Sequence, residues 1–195
     1  FNAEGTKLDD AHTRRLIKII KECDKRSMVV VVGIFYQRIF VDKNSHLKNL
    51  QDKKAIFNAV RTTANLLKPY KNVIINIANE QNSFRYKDFK EFDIRNPENI
   101  IALCKQVKEM DSDRLVGGGG YDDKNNVIIG KSEFVDVLLF DTNDDDINKG
   151  ENVGLFMKDG FLHASLEESN SRGIALFDAK KGGPVKIGGL KGITS

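Results

Sequence analysis

The chain has 195 residues, of which 40% are hydrophobic and 30% charged; that is the make-up of an ordinary folded domain with a sizeable core, and it excludes a chain disordered throughout. Its 31 basic and 28 acidic side chains leave a net charge of only +3, with Lys interspersed among Asp and Glu, which excludes the concentrated basic footprint of a nucleic-acid binder. No apolar run reaches the roughly 18 residues of a membrane span. Neither a signal-peptide pattern nor an initiator Met opens the sequence, so a processed, trimmed or partial chain is expected.

Leu8 to Arg26 reads as a helix, with Leu16, Ile17, Ile19, Ile20 and Cys23 on one face and Asp9 or Asp10 as its cap. Met28 to Val32 is a buried strand that stops at Gly33 and runs into the aromatic and polar cluster Ile34-Phe-Tyr-Gln-Arg38. The polar segment 41–50 reads as a loop. Lys53 to Leu67 forms the next helix, with Ile56, Phe57, Val60, Ala64 and Leu67 at helical spacing, and Pro69 stops it.

The stretch Asn72 to Asn82 organises the rest. Val73, Ile74, Ile75 and Ile77 do not alternate with polar residues, as expected of a parallel strand covered on both faces. The run ends in Asn79-Glu80, which puts a carboxylate where α/β folds place their chemistry. Phe84 to Phe92 reads as an excursion over the strand ends. Asn96-Pro97 opens a helix that continues to about Met110. A strand from Arg114 runs into Gly117–Gly120 and then Tyr121-Asp122. Phe134 to Phe140 is another buried strand, ending at Asp141-Thr142-Asn143. Beyond it, Phe156 to Ser169 reads as a helix and Gly173 to Phe177 as a last short strand, followed by a loosely held Gly- and Lys-rich tail from Lys180.

Helices alternating with strands predict an α/β fold with a parallel sheet and right-handed crossovers. The link between Asn143 and Ile147 is shorter than the dozen or so residues a parallel crossover needs, so either a strand is missing there or residues have been lost. The 123–133 connection is barely long enough. The two cysteines, Cys23 and Cys104, fall at apolar helix positions and read as buried free thiols. His12, His46 and His163 show no ligand spacing, so no metal site is expected.

These elements resemble the (β/α)8 glycoside hydrolases of the cellulase and mannanase superfamily, clan A. A hydrophobic strand ending in Asn79-Glu80 resembles that clan's fourth strand, and Asp24 to Arg38 (DKRSMVVVVGIFYQR) the third strand of a cellulase-like branch. Arg114 to Tyr121 resembles the fifth strand, Phe134 to Asn143 the sixth, and Gly173 to Asp178 the eighth. The resemblance therefore implies one partial TIM barrel over residues 1–195, with strands three to six and eight recognisable and no counterpart of strands one and two. A full barrel takes about 250 residues.

Carried over residue by residue, the resemblance implies a retaining glycosidase in which Glu80 is the general acid/base and Asn79 binds the sugar 2-hydroxyl. Retaining hydrolysis needs two carboxyl groups about 5–5.5 Å apart. Ile147 to Asn152 is the best counterpart of the nucleophile strand, yet Lys149 holds the matching position and Glu151 lies two residues on. Leu176 stands where a sugar-stacking Trp is expected, and the chain has no Trp.

Tyr36, Gln37, Tyr121, Asp122, Asp141 and Asn143 all follow strands and are expected to line the same mouth. Tyr36 and Tyr121 would stack on a sugar or simply pack their loops; Asp141 and Asn143 would bind hydroxyls. Asn79 and Glu80 have the same plain alternative, that of satisfying local backbone. Glu151 has the alternative of a solvated carboxylate beside Asp144, Asp145 and Asp146. The glycine run reads as close backbone approach rather than a phosphate loop, since no Lys-Ser/Thr follows it. The expected partner is a β-linked glycan, on an exported or cell-envelope protein by resemblance alone. The rival expectation is a barrel that has lost catalysis and binds carbohydrate or serves assembly, favoured by Lys149 and the missing Trp.

Overall fold

The computed structural model describes residues 1–36, 50–88, 92–120, 123–139, 156–158, 161–168, 171–178 and 183–184. In chain order these give α1 (Asp10–Asp24), β1 (Val30–Phe35), α2 (Lys53–Leu67), β2 (Val73–Ala78), a 3-10 turn (Phe84–Asp88), α3 (Pro97–Met110), β3 (Val116–Gly118), α4 (Asp123–Gly130) and β4 (Val137–Leu138). Four further strands follow: β5 (Phe156–Lys158), β6 (Phe161–Glu168), β7 (Ser171–Asp178) and β8 (Gly183–Pro184).

Side chains start the first three helices. The carboxylate of Asp9 accepts from the backbone N–H of His12 at 2.7 Å, Asp52 from Ala55 at 2.7 Å, and Asn96 from Glu98 at 3.0 Å, with Pro97 in the first turn of α3. Each bond satisfies one of the backbone donors that a helix start leaves orphaned.

β1 to β4 form one parallel sheet in the order of the sequence. Val30 to Phe35 pairs with Val73 to Ala78, Ile75 with Val116, and Gly117 with Val137. α2 packs against α3 and α3 against α4, so the crossover helices lie side by side on one face. That is the consequence of consecutive parallel strands joined by crossovers of one hand. The core fills the space between: Val73, Ile75 and Ile77 of β2 meet Ile56, Val60 and Leu67 of α2 and Ile100, Leu103 and Val107 of α3, all at 2% exposure or less. Each such side chain contributes about 1.5–3 kcal/mol by leaving water.

Arg114, itself buried, fastens the lower end of β2. Its Nη1 donates to the carbonyls of Tyr70 and Val73, both at 2.8 Å, and its Nη2 to that of Leu67 at 2.8 Å. Asp111 Oδ2 lies 3.1 Å from Nη2 as an ion pair without hydrogen-bond alignment.

The expected α/β class and the parallel sheet are present, and the described residues contain four of its strands rather than a closed barrel. Several finer expectations are corrected. Within the stretch 156–169 expected as a helix, the described residues 156–158 and 161–168 are strands, and Gly173 to Phe177 is not an eighth parallel strand. Both belong to a second sheet, β5-β6-β7-β8, in which every pairing is antiparallel. The register Glu168↔Ser171 leaves two residues between β6 and β7, the length of a tight hairpin link. Pairing over eight residues outweighs the helical reading of a single strand's apolar pattern.

α4 is a helix that the apolar pattern does not announce: Val127, Ile128 and Ile129 are consecutive, and only Ile129 is buried. α1 buries only Ile20 fully, and Ile19 is 55% exposed. β1 is not covered on both faces, since Val31 and Gly33 are exposed, Val31 at 40%. Among the described residues β1 pairs only with β2, so an edge position takes the place of the enclosed one its apolar run suggested. Both cysteines are free, and only Cys104 is buried. No helix among the described residues is long and apolar enough to cross a membrane.

Candidate functional site at the end of the central strand

β2 lies between β1 and β3, and its last bonds fix the residues just past its end. The backbone N–H of Asn79 donates to the Phe35 carbonyl at 3.1 Å, at the end of β1. That of Gln81 donates to the Gly119 carbonyl at 3.1 Å, at the end of β3. Glu80 stands between these two anchors with φ +47°, the left-handed conformation that disfavours side chains bearing a Cβ by about 1–2 kcal/mol. Among the described residues only Ser27 shares this feature without being glycine. Strain of this kind gathers at working sites, where the surrounding structure holds it in place.

The chain then turns back on itself. Ser83 N–H donates to the Glu80 carbonyl at 2.8 Å, and Tyr86 N–H to the Ser83 carbonyl at 3.1 Å. The Tyr86 ring is fully buried. Its Oη donates to the Asn79 carbonyl at 2.7 Å and approaches the Phe35 carbonyl at 3.4 Å. Burial, then the nearby charge of Glu80 and that of Tyr36, push the proton affinity of this phenol well above the usual tyrosine range. Tyr36, Glu80 and Tyr86 therefore belong to one electrostatic neighbourhood. Tyr36 is 41% exposed, next to the end of β1, and Phe84 is 63% exposed on the 3-10 turn. Arg85 and Lys87 place their cationic ends 5.9 and 5.8 Å from the Phe84 ring centroid.

The glycine run lets β3 and its neighbours converge on this edge. A Cβ at Gly117 would sit 1.6 Å from the Val137 carbonyl oxygen, and one at Gly120 would sit 1.9 Å from Asn82 Oδ1. This is the close backbone approach expected of the run. The buried side chain of Asn126 in α4 fixes its end: Oδ1 accepts from Gly120 N–H at 3.1 Å and Nδ2 donates to the Gly120 carbonyl at 2.7 Å.

Of the residues singled out in the sequence, Tyr36, Asn79 and Glu80 come together at the ends of adjacent strands. Asn79 does so through its backbone, which bonds to Phe35 and Tyr86. Gln37, Tyr121, Asp122, Asp141, Asn143 and Glu151, with Lys149, lie outside the described residues. Tyr86 and Asn126 were not singled out from the sequence. Tyr86 sat within an aromatic, charged stretch, and Asn126 within a polar run, so neither carried a periodic signal.

This geometry defines the class: an α/β protein with a parallel sheet wound in one direction and a strained carboxylate residue at the C-terminal edge of an interior strand. That is the edge at which such folds bind their ligands. No protein-family model matches the chain, and no curated protein does. Among solved structures it is similar to a β-1,4-D-mannanase from Cryptopygus antarcticus, at 16% identity and a TM-score of 0.45. The likeness covers 72% of this chain and 51% of the mannanase, so the chain spans about half that protein's length.

Proposed function

We propose that the chain forms part of a TIM-type glycoside-hydrolase-like barrel, one domain over residues 1–195, acting on a β-linked glycan by a retaining two-carboxylate mechanism. The observation that carries this reading is Glu80 itself. It is held in a strained conformation at the C-terminal end of an interior parallel strand, with Tyr36 beside it. In this mechanism Glu80 protonates the departing glycosidic oxygen as a second carboxylate attacks the anomeric carbon. Water then cleaves the covalent glycosyl-enzyme, with Glu80 acting as base. Glu151 is the sequence's candidate for the attacking carboxylate. Asn79, Tyr36, Gln37, Tyr121, Asp122, Asp141 and Asn143 are its candidates for holding the sugar. No cofactor enters the chemistry.

A second reading has support of its own. Lys149 occupies the position that the resemblance assigns to the nucleophile, and the chain has no Trp to stack on a sugar. Under that reading the protein binds carbohydrate, or serves assembly, without cleaving it.

One substitution separates the two. Glu80→Gln keeps size and hydrogen-bonding capacity but cannot deliver a proton. On soluble β-linked glucans and mannans it is expected to lower turnover by about 10²–10⁴-fold while oligosaccharide binding, measured by calorimetry, persists. Wild-type binding without reducing-end release selects the second reading. Turnover that survives Glu80→Gln removes the acid/base role.

A further inference from the structure

Building on the acid/base reading of Glu80, we propose that Tyr86 is the positioning residue of this site: its hydroxyl pins together the strand ends that precede Tyr36 and Glu80 and so holds Glu80 in its left-handed conformation. The phenol donates to the Asn79 carbonyl at 2.7 Å and lies 3.4 Å from that of Phe35. Phe35 and Asn79 are the residues immediately before Tyr36 and Glu80 in the chain. The bond also closes a ring of contacts. Glu80 carbonyl to Ser83 N–H, Ser83 carbonyl to Tyr86 N–H, and Tyr86 Oη back to the Asn79 carbonyl enclose residues 79–86.

A donor suits this place better than any apolar side chain. Asn79 N–H is already spent on Phe35, and its half-buried carbonyl meets the hydroxyl of a fully buried ring. Loss of the donor would leave this half-buried acceptor without the hydroxyl, and the relief that brings it to water is rotation of the 79–80 peptide. That rotation would release the strain at Glu80 and swing its side chain away. Burial also keeps the phenol protonated, so the donor is present throughout the neutral range. A residue that only filled space would need the ring and not the hydroxyl.

The test is Tyr86→Phe in the full chain, read by amide hydrogen exchange and 13C shifts in NMR and by steady-state kinetics on a β-linked oligosaccharide. The expected result is exchange about tenfold faster at Asn79, Glu80 and Gln81, with Val73 to Ile77 still protected, and a Glu80 Cα shift moving away from its left-handed value. In kinetics, kcat falls about tenfold at unchanged KM, and falls less on an aryl glycoside whose leaving group needs little protonation. Unchanged exchange at 79–81, or equal acceleration throughout the sheet, overturns the proposal. In the wild type the same bond is read directly as a Tyr86 hydroxyl proton protected from solvent; its absence at neutral pH overturns the proposal without any variant. Absence of wild-type turnover removes the hydrolase reading, while the exchange result still decides the role of Tyr86.

Discussion

Replacing Arg114 by Met tests whether one buried guanidinium secures the base of the strand that carries Glu80. The side chain is 3% exposed, and three carbonyls, those of Leu67, Tyr70 and Val73, each accept from it at 2.8 Å. Asp111, 6% exposed, stands 3.1 Å away as its counter-ion. Met fills much of the same volume but takes the guanidinium donors from three carbonyls, of which Leu67's keeps a bond from Tyr70 N–H at 2.9 Å, and leaves the buried Asp111 carboxylate without its counter-ion. Removing one member of a buried pair destabilises by about 3–5 kcal/mol, mostly through the charge left behind. For a chain of this size that corresponds to a fall in Tm of about 10 °C. Urea unfolding followed by circular dichroism measures the loss. The double substitution Arg114→Met with Asp111→Asn removes the stranded charge and is expected to recover about 1–2 kcal/mol. A loss below about 1 kcal/mol for Arg114→Met, or no recovery in the double variant, would refute the reasoning, because it would mean that solvent already reaches these groups.

Two further outcomes rest on the same geometry. Gly117→Ala puts a Cβ where the Val137 carbonyl stands, 1.6 Å away; the backbones must part, and a loss of about 1–3 kcal/mol in thermal unfolding is expected, whereas an unchanged Tm would mean that β3 and β4 do not approach this closely. Acid stability should depend on Asp93, whose carboxyl is held below its usual range by hydrogen bonds from the Arg95 side chain at 2.8 and 3.2 Å and from the Arg95 N–H at 3.0 Å. A lowered folded pKa gives stability that is present above the unfolded value, near 4, and is lost as pH falls through the folded one. Asp93→Asn should therefore flatten the fall in Tm below about pH 4; a fall as steep as in the wild type would show that the pair contributes nothing. Asp93 is partly exposed, so the effect is small.

The local periodicities carried much of the fold. Lys53 to Leu67 is a helix with the bounds its apolar spacing and Pro69 indicated, and Val73 to Ala78 is the strand its β-branched run indicated. Glu80 was legible for the same reason: a carboxylate that follows an apolar run must leave the sheet at its edge. Where the pattern was ambiguous, pairing partners decided. Residues 161–168 and 171–178 bond to each other along their whole length, and a ladder between two strands leaves no trace in either segment read alone. α4 was hidden because three apolar residues in succession have neither helical nor strand period.

The sequence by itself determined which segments are apolar, where each stops, and that a carboxylate follows the central strand, because these depend on neighbours a few residues away. Only the tertiary structure decided that Glu80 is left-handed, that Tyr86 reaches back to hold the strand ends, and that Asn126 closes on Gly120. Those facts arise from backbone groups orphaned at the edge of a sheet. Which side chain satisfies a given orphan depends on how the chain folds back in space, and residue order alone does not encode it locally.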